Sequence, residues 1–450
     1  MKIHFTAIGG SIMHALAIYM HLQGHEVSGS DDGIFDPSAS RLRKFGLYPP
    51  KLGWRPEVIT KDLDVLILGM HAKADNPELQ KAQSLGITIQ SFPEFFFEQV
   101  KDKHRIVVAG SHGKTSITAM IMHVLKKLDY QFDYMVGAQL KGFDHNVFLQ
   151  PDSQHAVIEG DEYWTSAIDK SPKFIHYHPH TCILTGLEWD HVNVYPTQSD
   201  YLAAFDGFLA NLMIGSRVVY NEADAALANM VKSHAENLNL LPYRMPEVVL
   251  KNHRFELNFE GESYTFAFWG KHNLLNMEAA KRACNEMGIK IADFYAAMQS
   301  FEGAGKRLEL IHDAPKMMVF RDFAHAPSKL KATLEGIKAH FPNHQIVALF
   351  ELHTFSSLDE RFLDQYKGCA DAADEFMVYY NPETAKRKKG TVLSESQIKE
   401  AFGRQDLPIT QNLGHFCDKY LQGEQPKVVL FMSSANFGGE DIGRFLESDL

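Results

Sequence analysis

Seven consecutive residues, Gly110-Ser111-His112-Gly113-Lys114-Thr115-Ser116, carry the densest chemistry in the chain. They follow the apolar run Arg105–Ala109 and precede a helical apolar pattern from Ile117 to Leu128. Two glycines let backbone N–H groups close around phosphate oxygens, and the helix N-terminus faces the anion. Lys114 supplies a mobile cation for β- and γ-phosphates, and the Thr115 hydroxyl is a ligand for Mg²⁺. The expected ligands are therefore ATP and Mg²⁺. The strict phosphate-loop pattern asks for a further glycine where this chain has Val108, so an ordinary glycine-rich turn between strand and helix is the plain alternative.

Acidic and imidazole groups recur just beyond apolar runs. Ala156–Ile158 reads as a strand ending at Glu159-Gly160-Asp161-Glu162, and Thr181–Leu184 as another ending at Glu188-Trp189-Asp190-His191. Mg²⁺ is a hard ion that takes one or two carboxylates with phosphate and water, so Glu159 is a natural companion of Thr115; a surface carboxylate is the competing reading. His191 suits an orienting hydrogen bond, a general base or a metal ligand, and spacing does not choose among them. His176, His178 and His180 alternate and read as solvent-exposed residues before a turn. Gly270 to Asn276 opens a helix with His272 and Asn276 on one face, suited to a purine, although Asn273 as a helix cap explains part of it. Asp322-Phe-Ala-His325-Ala-Pro327 follows a strand and pairs a carboxylate with an imidazole, while a helix start accounts for Asp322 nearly as well.

Strands alternating with helices are needed to present these groups at one sheet edge, which predicts an α/β protein with ligands beyond the strand C-termini. A length of 450 residues implies about three domains, expected over 1–103, 104–300 and 301–450. The first begins with a βαβ unit, in which Lys2–Ile8, the turn Gly9-Gly10-Ser11, a helix from Ile12 to Gln23 and Glu26–Ser30 lead to Asp31. That is a Rossmann-type outline, with a carboxylate about 20 residues past the glycines. His14-Ala15 stands where the dinucleotide fingerprint has its third glycine, which weighs against NAD. The strand Asp64–Leu68 leads to Gly69-Met70-His71, and Asn76-Pro77-Glu78 signals a helix start. Phe301–Arg307, with Gly303 and Gly305, reads as a hinge into a smaller, doubly wound C-terminal domain.

Composition removes other classes. The formal net charge of −11 argues against a duplex nucleic acid partner. The basic run Lys386-Arg387-Lys388-Lys389 reads as a solvated loop. Four widely separated cysteines fit free thiols in a reducing cytoplasm, and no run of about 20 apolar residues suggests a membrane span. The apolar N-terminal stretch is interrupted by His4, Gly9-Gly10 and His14 and reads as folded protein rather than a leader.

Taken in order, these motifs resemble the Mur ligases, ATP-dependent amide-forming enzymes of peptidoglycan synthesis and recycling. The likeness covers nearly the whole chain through Gly110–Ser116, Glu159–Glu162, Glu188–His191, Gly270–Asn276 and Asp322–Pro327. The resemblance implies a three-domain fold: Rossmann-like, central P-loop ATPase-like and C-terminal doubly wound. Gly9, Gly10, Ser11, Asp31 and His71 would then meet a uridine nucleotide. Gly110, His112, Gly113, Lys114, Thr115 and Ser116 would hold ATP, and Thr115, Glu159 and His191 would hold magnesium. His272 and Asn276 would serve adenine, while Arg307, Asp322 and His325 would close on ATP, with Lys114, His191 and His325 as the catalytic set.

Most of the family has a carbamylated lysine on the helix after the Asp-His motif, but Tyr201 to Leu212 contains no lysine. That implies the branch acting on UDP-N-acetylmuramate. Asp161–Tyr163, Ala167–Lys170, Lys173-Phe174 and Phe437-Gly438-Gly439 resemble the recycling member that rejoins a recovered peptide, L-alanyl-γ-D-glutamyl-meso-diaminopimelate; an L-alanine ligase is the alternative. Leu352-His353-Thr354 replaces an Arg-containing loop of these enzymes, and Ser434-Ala435-Asn436 alters their glycine run. The enzyme would be cytoplasmic, a monomer or homodimer. An NAD-dependent oxidoreductase and a non-enzymatic nucleotide switch are the readings from other classes, separated by NADH protection and by the absence of amide product.

Overall fold

The computed structural model describes residues 1–189, 194–389, 392–423 and 425–446. Its contacts divide the chain into two compact units, the first made of 1–188, 199–244 and 279–291, the second of 189–198, 245–278 and 292–450.

The first unit holds two parallel-type sheets. The N-terminal sheet contains β1 (Lys2–Thr6), β2 (Glu26–Ser30), β3 (Val65–Leu68) and β4 (Thr88–Ser91) in the order β2-β1-β3-β4, all parallel. Phe5, Leu66 and Ile67 are fully buried, as strands covered on both faces require. Asn76 caps the helix Pro77–Leu85, its Oδ1 accepting from Glu78 N at 2.9 Å and Leu79 N at 3.2 Å. Glu78 itself is buried and accepts from Thr6 Oγ1 at 2.9 Å, Ser30 Oγ at 2.6 Å and Arg55 N at 2.5 Å. These donors tie β1, β2 and the following loop to one carboxylate.

The second sheet of this unit has seven strands: β5 (His104–Ala109), β6 (Asp133–Met135), β7 (Val147–Phe148), β8 (His155–Glu159), β9 (Thr181–Leu184), β10 (Arg217–Asn221) and β11 (Asn239–Tyr243), ordered β11-β10-β9-β5-β8-β6-β7. Only β7 is antiparallel. β5 lies at the centre between β8 and β9. The chain therefore leaves β5 where the strand order diverges to either side, the crevice at which open α/β sheets receive ligands.

In the second unit an antiparallel ribbon, β12 (Val249–Lys251), β13 (Arg254–Phe259) and β14 (Glu262–Phe266), precedes a six-stranded sheet. That sheet contains β15 (Glu309–Ala314), β16 (Met317–Asp322), β17 (Gln345–Leu352), β18 (Glu375–Tyr380), β19 (Ile409–Thr410) and β20 (Lys427–Met432), in the order β15-β16-β20-β17-β18-β19. β15 pairs antiparallel at the edge and the rest are parallel. Side chains of opposite strand parity fill two cores, one around Phe320, Ile346, Phe350 and Leu430, the other around Val319, Leu349, Phe416 and Phe431. The basic run expected to be a loop instead ends a helix, Pro382–Lys389. Among the described residues no helix is long and apolar enough to cross a membrane. All four cysteines are buried and free.

Candidate active site

The phosphate loop is built by two glycines in conformations that side chains avoid. Gly110 has φ 113° and Gly113, the N-cap of the helix Lys114–Lys127, has φ 77°. A Cβ on Gly110 would lie 2.7 Å from the backbone N of Thr185, so only glycine fits against the turn after β9. That turn is stitched to the loop by Thr185 N donating to Ala109 O at 3.1 Å, Ser111 N to Gly186 O at 3.1 Å and Glu188 N to Ser111 Oγ at 3.2 Å. His112 Nε2 sits 3.2 Å from Glu188 Oε2.

Lys114 Nζ donates to Gly110 O at 2.6 Å and lies 2.8 Å from Glu162 Oε2. Glu162 is fully buried, so this is a low-dielectric ion pair. Burial opposes the charge on Lys114, but Glu162 outweighs it, with help from Asp161 and Glu159, and the ammonium is held above the ordinary lysine value. Thr115 Oγ1 donates to Glu159 Oε1 at 2.8 Å, and Gly137 N donates to Glu159 Oε2 at 3.0 Å. Ser116 is buried in the same helical turn. The structure thus brings Gly110, His112, Gly113, Lys114, Thr115, Ser116 and Glu159 together.

The oxygens of Thr115 and Glu159, with a cation and a glycine cradle alongside, fit a hard divalent ion carried by a polyphosphate. Among the described residues there is no cluster of three or more His, Cys, Asp or Glu arranged to hold a metal. His191, expected to share this role and to act as a base, lies with Asp190 outside the described residues.

Directly after β2, Asp31 is buried and reaches the turn after β1, accepting Gly9 N at 2.8 Å on one oxygen and Gly33 N at 3.2 Å on the other. Burial raises its carboxyl above the usual aspartate range, partly offset by these two amides. Asp31 therefore fixes the glycine turn, a duty the sequence reading did not assign. Gly10 caps the helix Ser11–Leu22, and His14 Nδ1 meets Gly10 O at 2.8 Å. His71 is exposed. The imidazoles of 176, 178 and 180 separate. His176 bonds Ser171 at 3.0 Å, His180 stacks on His104 at 4.9 Å, and His178 alone is exposed.

In the second unit, Asn273 lies inside the helix Lys271–Glu286 and donates to Trp269 O at 2.9 Å. It is not a cap. Asn276 Nδ2 donates to Asn273 Oδ1 at 3.1 Å. The His272 ring packs on Gly270, where φ is 80°. Its buried Nδ1 has no hydrogen-bond partner among the described residues. Burial lowers its pKa, with Asp322 acting in the opposite sense. Asp322 is buried and accepts from Leu308 N at 2.7 Å, Ala324 N at 2.9 Å and Thr333 Oγ1 at 3.2 Å. The following helix starts later, at Pro327 with Ala326 as its N-cap, so a helix start does not explain Asp322. Lys306 and Leu308, both at positive φ, flank Arg307, whose guanidinium lies 3.8 Å from the centre of the Phe323 ring. His325 Nδ1 meets Phe323 O at 2.9 Å. Asp322 thus anchors the backbone next to Arg307.

Sequence reasoning passed over Glu162 as the partner of Lys114; a buried-type strand followed by Glu-Gly-Asp-Glu offered several acids and no way to rank them. It also noted two unusual segments without linking them. In the structure they touch: Ser434 Oγ lies 2.9 Å from His353 Nε2. Glu351, two residues before His353, is buried and accepts from Ser433 Oγ and, at 3.0 Å, from Phe437 N.

Comparison with known proteins agrees with this geometry. The model described as "Mur ligase family, catalytic domain" matches residues 2–104, and that of the "Mur ligase middle domain" matches 108–284. A UDP-N-acetylmuramate–L-alanine ligase of Sulfurihydrogenibium sp. is 29% identical over 372 residues, spanning 80% of this chain and 78% of that protein. The UDP-N-acetylmuramate–L-alanyl-γ-D-glutamyl-meso-2,6-diaminoheptandioate ligase of Escherichia coli is also 29% identical, over 347 residues, spanning 75% and 76%. A solved UDP-N-acetylmuramate–alanine ligase from Thermotoga maritima shares the fold, with a TM-score of 0.74 at 22% identity over 100% of this chain and 99% of that one. The two models follow one another in the order of the sheets, and the phosphate loop falls inside the second. On these grounds the chain belongs to the Mur ligase family of ATP-dependent carbon–nitrogen ligases.

Proposed function

We propose that this enzyme joins a recovered murein peptide, L-alanyl-γ-D-glutamyl-meso-diaminopimelate, to UDP-N-acetylmuramate in peptidoglycan recycling. The observation that carries the ligase chemistry is Lys114 paired with buried Glu162 beside Thr115 and Glu159 at the helix N-terminus. Amide formation in water needs the carboxyl made electrophilic. The lactyl carboxylate attacks the γ-phosphorus of ATP, ADP leaves, and the resulting acyl phosphate is attacked by the peptide α-amine, releasing phosphate and a proton. Lys114 exchanges its contact with Glu162 for the transferring phosphoryl group and stabilises its charge. Thr115 and Glu159, with His191, would hold Mg²⁺, which supplies charge neutralisation of the phosphates when bound. In this reading Gly9, Gly10, Ser11, Asp31 and His71 receive the uridine nucleotide; His272 and Asn276 receive adenine; and Arg307, Asp322 and His325 complete the ATP site. His191 or His325 takes the amine proton. Each ligand has its own domain, over 1–103, 104–300 and 301–450.

The absence of lysine from Tyr201 to Leu212 supports the UDP-N-acetylmuramate branch. The stretch Asp161–Lys173 and the Phe437-Gly438-Gly439 turn support the peptide over the single amino acid. The L-alanine ligase is the second reading, favoured by the Sulfurihydrogenibium relative. Phosphate release with UDP-N-acetylmuramate, ATP and either tripeptide or L-alanine tests the choice; turnover with L-alanine alone rejects the peptide reading.

A further inference from the structure

The basic run that the site described above does not use lies beside the altered loops of the second unit. The helix Pro382–Lys389 follows directly from the C-terminal end of β18. Lys388 Nζ reaches the loop after β17 and donates to His353 O at 2.8 Å. His353 in turn meets Ser434, in the loop after β20, at 2.9 Å. Lys388, His353 and Ser434 therefore gather at the C-terminal ends of three neighbouring parallel strands, the edge at which such sheets bind ligands. Lys386, Arg387 and Lys388 are exposed, and none makes an ion pair among the described residues. Glu351, the nearby buried acid, accepts from Ser433 and Phe437 N, and its charge favours the Lys388 ammonium from a distance without an ion-pair contact. This concentration of positive charge runs against a chain whose net charge is −11.

Cations in a last helical turn favour the helix dipole, which accounts for basic residues there but not for Lys388 leaning onto the β17 loop. Among candidate occupants, a single amino acid brings one carboxylate, fixed next to its reacting amine. A γ-linked peptide ending in a diamino diacid brings three, two of them distant from that amine. Resting on the function proposed above, we infer that the cationic end of the helix Pro382–Lys389, centred on Lys388, recognises the distal carboxylates of the amine substrate and so selects a multi-carboxylate peptide over L-alanine. Lys388, held on His353 O by one proton, keeps two for a carboxylate. Lys386 and Arg387 supply longer-range attraction.

The test uses the full-length enzyme with saturating ATP and UDP-N-acetylmuramate, follows phosphate release, and varies L-alanyl-γ-D-glutamyl-meso-diaminopimelate. The triple variant Lys386→Gln, Arg387→Gln, Lys388→Gln should raise the peptide KM about ten-fold, the loss expected for a charge-assisted hydrogen bond. Its kcat and its KM for ATP should stay near wild type, and Lys388→Arg should restore the peptide KM. Raising ionic strength from about 0.05 to about 0.2 M should increase the wild-type peptide KM and leave that of the triple variant nearly flat. An unchanged peptide KM, or a rise shared equally by ATP and accompanied by a lower Tm, overturns the inference while leaving the proposed function standing. A wild-type enzyme that turns over L-alanine but not the peptide rejects the proposed function, and this inference falls with it.

Discussion

The two glycine turns of the first unit, after β1 and after β5, solve the same geometric problem with opposite electrostatics. Each follows a buried parallel strand and opens a helix. At the β1 turn, both oxygens of Asp31 are spent on backbone amides of Gly9 and Gly33. The carboxylate there is scaffolding, and no lysine stands at the helix start. At the β5 turn the acids are paired with functional side chains, Glu162 with Lys114 and Glu159 with Thr115. In the function proposed above, the first turn offers the uridine nucleotide a backbone turn held in shape by Asp31. The second stores a compensated cation that phosphate can recruit. Fold similarity between such turns therefore says little about chemistry; the identity of the group at the helix start decides it.

The largest effect should come from removing that group. Lys114→Ala is expected to lower ligase turnover at least about a thousand-fold, the scale for losing a cation on a transferring phosphoryl group. Binding of UDP-N-acetylmuramate, followed by calorimetry, should survive; equal loss of both would erase the distinction between the turns. Next, Gly110→Ala should destabilise the protein by about 3 kcal/mol, since it combines a positive φ with a clash against the Thr185 backbone. Gly9→Ala, whose Cβ would meet Asp31 Oδ2 at 2.9 Å and Ile34 Cγ1 at 3.1 Å, should cost about 1 kcal/mol. Denaturant titration of the pair checks the order, and a reversed order contradicts the assigned packing.

The smallest effect concerns Asp31. Its folded pKa is raised, mainly by burial, so the folded state binds this proton more tightly than the unfolded state. Its contribution to stability is present below the ordinary aspartate range of about 3.9 and is lost as pH rises through the elevated folded value. Asp31→Asn should flatten that part of the stability–pH curve and weaken UDP-N-acetylmuramate binding. A curve with the same slope in both proteins would assign the dependence to another group.

Much of the site was legible because its signals are local. The phosphate loop, the strand ends at Glu159 and Asp322, and the Asn76 cap each depend on residues a few positions apart. β9 and β18 begin and end where their apolar runs do. The antiparallel ribbon β12–β14 was not legible, because its Asn252-His253 turn takes positive φ without glycine and its strands are partly exposed. The pairing of Glu162 with Lys114 and the contact of His353 with Ser434 join residues 48 and 81 positions apart. Only the sheet register brings them into range. Asn273 shows the converse: a residue type favoured at caps was placed inside a helix because its amide finds the Trp269 carbonyl one turn back.

Glu159 has a consequence beyond its own oxygens. One of them is bonded to the start of the helix Lys114–Lys127, and the other to Gly137, in the segment leaving β6. Nine residues further along that segment, Asn146 accepts a bond from Arg41 at 3.2 Å, and Arg41 also contacts His14 on the helix behind the β1 turn. One stretch of chain is thus bonded at one end to the phosphate-loop helix and at the other to the helix that carries Arg41. The surroundings of the two glycine turns thus share one hydrogen-bonded stretch of chain and are not structurally independent.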